Sequence, residues 1–164
     1  MSERDDSSPF AVLNDPDPLS PDPNLADLVK FANAFGLELH VILTLPGQVI
    51  GGLLVSGKTH FESMAASLLS GRDESNEDSV AGSMATLLRH YGDPYTDFGA
   101  ESKVQDDDPE DMVRPPLPDV AFIHLADAYL VSTEGLAPIG RWRGRLSEIV
   151  GWTLGLLTVD EPDD

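Results

Sequence analysis

The stretch LELHVILTLPGQVIGGLLVSG, residues 37–57, decides the fold because it contains two strand patterns separated by a turn. Before the turn, apolar and polar residues alternate with the period of two that is typical of a half-buried strand. Pro46-Gly47 supplies the turn, and the residues after it return as a second strand. Gly51 and Gly52 within that strand indicate a bulge or a sharp bend. The stretch therefore predicts a curled antiparallel hairpin with strands at 37–45 and 48–56.

Helix signals lie on both sides of this hairpin. A helix over 25–35 is predicted before it, with Asn24 as the N-cap and Gly36 as the left-handed stop. After the hairpin, Thr59 and Glu62 form a T-x-x-E capping box that opens a second helix, which Gly71 ends. The hairpin is therefore expected to have helical neighbours on both sides in the chain.

The second half of the chain has weaker patterns. Residues 79–92 favour a helix within an insert at about 70–118, which ends in an acidic linker broken by prolines. Apolar runs at 120–131 and 141–157 predict further strands. Ala126-Asp127 marks a turn or bulge in the first run, and glycines make the second run one long bent strand or two short ones.

Together these elements predict an α+β fold that is mainly β. The sheet is either a small, strongly bent antiparallel sheet or an SH3-like or Sm-like barrel, with the helix 25–35 packed on its end. The predicted organisation is a disordered acidic, proline-rich tail at 1–23, a single domain at 24–159 and an acidic tail at 160–164.

Composition restricts the possible partners. The chain has 164 residues, a formal net charge of -19 and 41% hydrophobic residues, and its pI is near 4.2. Such a charge disfavours nucleic acid and anionic membranes as partners and would suit a salt-rich cytoplasm. There is no cysteine, the N-terminus is polar where a signal peptide would be apolar, and no apolar run is long enough to span a bilayer. The sequence therefore predicts a soluble, cytoplasmic protein.

One motif points to a nucleotide. Gly52, Gly57, Lys58 and Thr59 occupy the fixed positions of the phosphate-binding pattern G-x-x-x-x-G-K-[ST]. The variable positions, however, are an apolar run that continues the strand, and the chain has too few strand–helix units for the parallel sheet that carries such loops. A nucleotide-binding domain stays open as an alternative, with a parallel strand order as its structural condition.

No other motif indicates catalysis or metal binding. The four histidines are spaced too irregularly for a metal set, and His40 and His124 are expected to be strand or core residues. The acidic run at 106–111 lacks the ligand spacing and the glycine of a calcium loop. We therefore expect no enzyme activity, no cofactor and no metal.

The segment RWRGRLSEIVGWTLGLL, residues 141–157, contains three of the ten basic residues. On a strand, Arg141, Arg143 and Arg145 share one face and Trp142 lies on the other. Two interpretations stay open: a solvated face whose arginines pair with the chain's own carboxylates, or a contact surface for a partner. Structural roles are expected for the tryptophans and glycines of this segment: Trp142, Gly144, Gly151, Trp152 and Gly155.

A family resemblance rests on three segments together. LVKFANAFGLELHVILTLPGQVIGGLLVSGKTHFE, AFIHLADAYL and RWRGRLSEIVGWTLGLL resemble the gas vesicle accessory protein family GvpU, chiefly through FIHL at 122–125, WRG at 142–144 and the glycine-spaced run at 148–155. The resemblance implies a non-enzymatic cytoplasmic protein that associates with gas vesicles, the gas-filled protein shells that give cells buoyancy, and influences their clustering. Its implied partners are gas vesicle proteins or the vesicle surface, together with further copies of itself. The nucleotide-binding domain and an Sm-like RNA-binding module stay open as alternatives.

Overall fold

The protein is described by a computed structural model, which places residues 20–70, 79–95 and 119–157. Most of the expected insert lies outside the described residues. So do the expected tails, except for residues 20–23. In chain order the elements are α1 (Pro23–Phe35), β1 (Leu39–Leu45), β2 (Gln48–Val55), α2 (Gly57–Leu69), α3 (Val80–Gly92), a 3-10 turn (Asp93–Tyr95), β3 (Phe122–Ser132), β4 (Gly135–Arg145), a second 3-10 turn (Leu146–Glu148) and β5 (Gly151–Leu154).

The strands form one antiparallel sheet in the order β4-β3-β2-β1-β5. The predicted antiparallel α+β fold is confirmed, although the fold is not mainly β, because 42% of the described residues are helical and 38% lie in strands. The alternative of a closed barrel is wrong because β4 and β5, at the two edges of the sheet, do not pair with each other. Of the two alternatives for residues 141–157, the structure has two strands, and the first of them, β4, begins earlier than predicted, at Gly135. Pro138 lies within β4, which an edge strand tolerates because its outer N–H groups bond no neighbour.

The link between β4 and β5 shows how strongly the sheet bends. The amide of Leu146 donates to the carbonyl of Ala121, and the amide of Val150 donates to the carbonyl of Thr44. Four residues of chain span at most about 14 Å. In a flat sheet Ala121 and Thr44 would be roughly 30 Å apart, because Thr44 lies level with Val131 two strands away. Only a strongly bent sheet, as predicted, brings them within reach of this link.

Helices cover both faces of the sheet. Helix α1 packs across one face through Leu25, Val29 and Ala32 rather than on the end of the sheet as predicted, because an open sheet exposes a face that must be buried. The core on this face also contains Val41, Leu43, Ile50, Leu54, Ile123, Leu125, Ala128, Leu146 and Ile149. Helix α2 lies on the opposite face against β3, and α3 packs against α2. We call these the α1 face and the α2 face.

Local sequence signals predicted the ends of the helices well, with one correction for α1. Gly36 ends α1 in the left-handed conformation as predicted, with φ of 64°. The N-cap of α1 is Asp22, not Asn24, and its carboxylate accepts from the amide of Leu25 at 2.9 Å. The predicted 79–92 helix is confirmed as α3, whose N-cap is Ser79.

The predicted irregularity at Ala126-Asp127 is confirmed as a bulge in β3. Asp127 has a positive φ of 46°, and the pairing shifts there on both neighbouring strands. The residue opposite the bulge on β2 is Gly52, which explains why this strand contains glycines at its middle. A Cβ on Gly52 would lie 3.0 Å from the carbonyl oxygen of Ala126 and 3.1 Å from Cα of Ala128, so glycine leaves room there for the backbone of the bulge. A Cβ on Gly51 would overlap the ring of Tyr129, so that glycine makes room for the ring.

Candidate interaction site on the edge strand

The pairing of β3 with β4 orients the three arginines. Arg143 lies opposite His124 and Arg145 lies opposite Phe122, and residues directly opposite each other share a face. Arg141 also points to the α2 face, because its guanidinium donates to the hydroxyl of Ser67 in α2 at 3.0 Å. All three side chains are exposed. We call this surface of Arg141, Arg143 and Arg145 the arginine face.

Arg143 is held in place by aromatic neighbours. Its guanidinium carbon lies 3.5 Å from the centroid of the Phe122 ring and 5.9 Å from that of Phe61, which is cation–π geometry. Its Nε donates to Nε2 of His124 at 3.3 Å. Arg145 shares the Phe122 ring at 5.7 Å. The guanidinium groups are therefore partly ordered before any partner arrives, which lowers the entropy lost on binding.

The described carboxylates do not neutralise this face. The ion pairs that the structure describes join Lys30 to Asp27, Lys30 to Asp119 and His90 to Asp93, and none of them involves β4. Within residues 20–70, 79–95 and 119–157, the arginines are therefore not paired with the chain's own acids. In a chain of charge -19, the arginine face is a local region of opposite sign.

The other side of β4 faces the α1 core. Trp142 lies opposite Leu125 and packs, half-buried, against this core. A Cβ on Gly144 would overlap the indole of Trp142, so Gly144 makes room for that ring. The strand continues through Gly144 and ends at Arg145.

The remaining predicted structural residues belong to the opposite edge of the sheet. Gly151 begins β5 opposite Thr44, and Trp152 lies opposite Leu43, where it packs half-buried against the core. Gly155 follows the strand with φ of 137°, a conformation that favours glycine. The two tryptophans thus anchor both edge strands to the same core.

Behind the arginine face lies a pair of buried histidines that the sequence did not predict as a pair. The rings of His60 and His124 are 4.9 Å apart, and Phe61 and Tyr95 contact the ring of His124 edge-on. Because Nε2 of His124 accepts from Arg143, the proton of the neutral ring is on Nδ1. In both His60 and His124, Nδ1 is buried and has no hydrogen-bond partner among the residues that the structure describes. The sequence did contain one sign of this pair, a histidine within the apolar run of β3. No local pattern, however, indicates that its neighbour is a histidine of α2.

Burial and positive charge keep these histidines neutral. Burial, then the charge of Arg141 and that of Arg143, lowers the pKa of His60 to about 4. Burial, then His60 and Arg143, lowers the pKa of His124 to about 3. The cluster therefore adds no positive charge to the arginine face near neutral pH.

The segment with the phosphate-binding pattern has a different geometry from a phosphate loop. Its strand, β2, is antiparallel to both neighbours, so the structural condition for that alternative is absent. The amide of Gly57 donates to the side chain of Asn33 at 2.9 Å, and the amide of Thr59 donates to the hydroxyl of Ser56 at 3.0 Å. These two amides already have partners and do not form the open curl of N–H groups that holds phosphate.

The prediction that Thr59 caps α2 is wrong. The cap is Ser56, whose hydroxyl accepts from the amide of Thr59 and donates to its hydroxyl at 2.9 Å. Helix α2 therefore begins at Gly57, two residues before the predicted start, and ends at Leu69, where Ser70 is the C-cap in place of Gly71. Lys58 lies half-buried in the first turn.

The described residues contain neither a metal-binding cluster nor a membrane-spanning helix. No group of three or more histidine and acidic side chains there is arranged to hold a metal ion. No helix in the same part of the chain is both long and apolar enough to cross a membrane.

The fold and this surface define a class of protein: a small α+β domain with an open antiparallel sheet and a basic edge strand in an acidic chain. Over residues 22–157 the chain matches the family described as gas vesicle protein GvpU-like, and it belongs to that family. The resemblance drawn from its sequence segments is thus confirmed, and the protein is related to gas vesicles. No curated protein and no solved structure matches the chain.

Proposed function

We propose that this protein is a non-enzymatic gas vesicle accessory protein of the cytoplasm, which associates with gas vesicles and influences their clustering or assembly through self-association. The arginine face is the contact surface for a carboxylate-rich partner, either a vesicle-bound protein or a second copy of the chain. The observation that carries this proposal is a set of exposed, partly ordered arginines on an edge strand, which form no ion pair with the described carboxylates of a chain with a charge of -19.

Charge gives this surface its selectivity. Two strongly acidic molecules repel each other, so contact between them is favoured where one presents a patch of opposite sign. Such a patch mainly orients the partners and raises the rate of encounter. Guanidinium groups suit this use because each can bind a carboxylate through two parallel hydrogen bonds.

Co-sedimentation with purified gas vesicles tests the proposal. We expect the triple variant of Arg141, Arg143 and Arg145 to glutamate to fold but to lose most of its vesicle binding. Because Arg143 packs on aromatic rings, the double variant Arg141→Glu/Arg145→Glu is a second probe that spares this packing. The matched control is Lys58→Glu/Arg89→Glu, which changes the net charge by the same amount as the double variant but lies outside β4.

The outcomes separate surface contact from overall charge. Loss of binding in the β4 variants alone supports the arginine face, and equal losses in the control would assign the effect to net charge. Wild-type binding should weaken as salt rises, because salt screens exposed charge pairs. Unchanged co-sedimentation of both β4 variants would leave the arginines as ordinary surface residues and would refute the proposal.

A further inference from the structure

Helix α3 carries an apolar stripe that is largely exposed, in which Tyr91 also contacts the Phe61 ring of α2 edge-on. Its four members, Val80, Met84, Leu87 and Tyr91, expose 83%, 48%, 44% and 50% of their surface. They recur at i, i+4, i+7 and i+11, so they lie along one side of the helix. We call this surface the α3 stripe. It differs from isolated exposed apolar residues, which are common, because its members are contiguous along the helix.

The opposite side of α3 explains why these large residues point outward. The buried residues of the helix are Gly82, Ala85 and Gly92, all of them small. A Cβ on Gly92 would lie 3.5 Å from Phe61 and 3.6 Å from the backbone of Lys58, so this side lies close against α2. An ordinary surface helix buries its large apolar residues and exposes its polar ones. Helix α3 instead buries only small residues and leaves its large apolar ones exposed, which indicates that the stripe is covered by something else.

The charge of α3 limits what can cover the stripe. The helix contains no aspartate or glutamate, and Arg89 is its only arginine or lysine. Elsewhere, two copies of a chain with a charge of -19 would approach against strong repulsion. The stripe itself has no charged residue, so a second copy can approach it without placing an acid of one α3 against an acid of the other.

The spacing of the stripe also fits a second copy. The intervals of four, three and four residues are the same when read in either direction along the helix. A twofold axis at the middle of the stripe therefore places Val80 against Tyr91 of the second copy and Met84 against Leu87 of the second copy. The smallest side chain then meets the largest, and the two helix dipoles run antiparallel. A twofold interface requires this kind of self-complementary surface.

We propose that the α3 stripe is a homodimer interface in which α3 of two copies pack antiparallel about a twofold axis. The alternation of four and three residues is the seam of a short two-helix coiled coil, with Ala81, Ser83, Leu88 and His90 beside it. Four residues per copy form a small interface, so the dimer is weak and reversible. This inference rests on the self-association part of the proposed function and gives it a site separate from the arginine face.

Cysteine cross-linking tests the register, because the full chain has no cysteine of its own. Chains with Met84→Cys and with Leu87→Cys are mixed and oxidised under mild conditions. In the proposed register these two cysteines face each other, and proximity raises their effective concentration. We therefore expect the disulfide between the two variants to form about tenfold faster than a disulfide between Thr86→Cys and either of them. Thr86 is exposed on a different side of the same helix and is the matched control. Equal rates would overturn the register.

Sedimentation velocity of the full chain tests the interface itself. We expect a concentration-dependent dimer that Met84→Lys weakens by about tenfold or more, and that Thr86→Lys leaves unchanged. Combining Met84→Lys with Leu87→Glu should partly restore the dimer, because each lysine then faces a glutamate of the second copy. The inference would be overturned by a wild-type chain that stays monomeric up to about 1 mM, or by a dimer whose dissociation constant does not change with Met84→Lys.

Salt separates this surface from the arginine face. The dimer should persist or strengthen as salt rises, because screening reduces the repulsion between acidic copies while apolar contacts remain. Vesicle binding through arginines should weaken over the same range. Loss of the dimer in Met84→Lys with intact vesicle co-sedimentation would support the α3 stripe alone, and the β4 variants should show the opposite result.

Discussion

The buried histidine pair predicts that the fold loses stability on mild acidification. In the folded protein the pKa of His124 is about 3 and that of His60 is about 4, both below the ordinary value of 6.5. Below pH 6.5 the unfolded chain therefore takes up protons that the folded chain does not. The stability that comes from keeping these rings neutral is complete above pH 6.5 and is lost as the pH falls toward the folded pKa values.

The size of the effect follows from the pH interval. Stability changes by about 1.4 kcal/mol per pH unit for each proton taken up only by the unfolded state. From pH 6.5 to pH 5 this gives a loss of about 2 kcal/mol for each of the two histidines. At pH 5 both rings are still neutral in the folded protein, and the solution is still above the pI of about 4.2, where aggregation would interfere.

Urea denaturation at pH 7.5, 6 and 5, followed by tryptophan fluorescence, measures this loss. The carboxylates titrate in every variant, so the informative quantity is the difference between wild type and His124→Phe. We expect the free energy of unfolding of wild type to fall by about 2 kcal/mol relative to His124→Phe over this range. The control His40→Gln removes an exposed histidine of β1 and should follow wild type. A difference between wild type and His124→Phe that is independent of pH would refute the reasoning.

Further predictions concern local contacts, each read from the free energy of unfolding. Ser56→Ala should cost about 1 kcal/mol through loss of the N-cap of α2, and Thr59→Ala clearly less; equal losses would contradict the assignment of the cap. Trp142→Ala should cost about 2 kcal/mol, since the indole is half-buried against the core. Gly144→Ala should destabilise wild type but have little effect in the Trp142→Ala background, and additive losses in this double-mutant cycle would show that the two do not interact. Lys58→Ala should change stability by less than about 0.5 kcal/mol, and calorimetry should detect no ATP binding by wild type; micromolar binding abolished by this substitution would restore the nucleotide site.

Short-range patterns in the sequence determined a large part of the fold. The alternation around Pro46-Gly47 specified the β1–β2 hairpin, and Gly36 specified the end of α1, because both depend only on the local backbone. The bulge at Asp127 was readable for the same reason. The family was also recognisable, since its segments keep their order along the chain.

Long-range contacts decided the rest. Which residue caps a helix depends on how the preceding strand or loop enters it, and so Asp22 and Ser56 replaced the predicted Asn24 and Thr59. The openness of the sheet depends on which edges pair, and alternation along single strands contains no information about that. His60 and His124 meet only because α2 folds onto β3, and no local pattern links residues so far apart in the chain. The outward α3 stripe likewise exists because α2 takes up the small residues of α3, a choice that follows from close packing in three dimensions and not from the helical period.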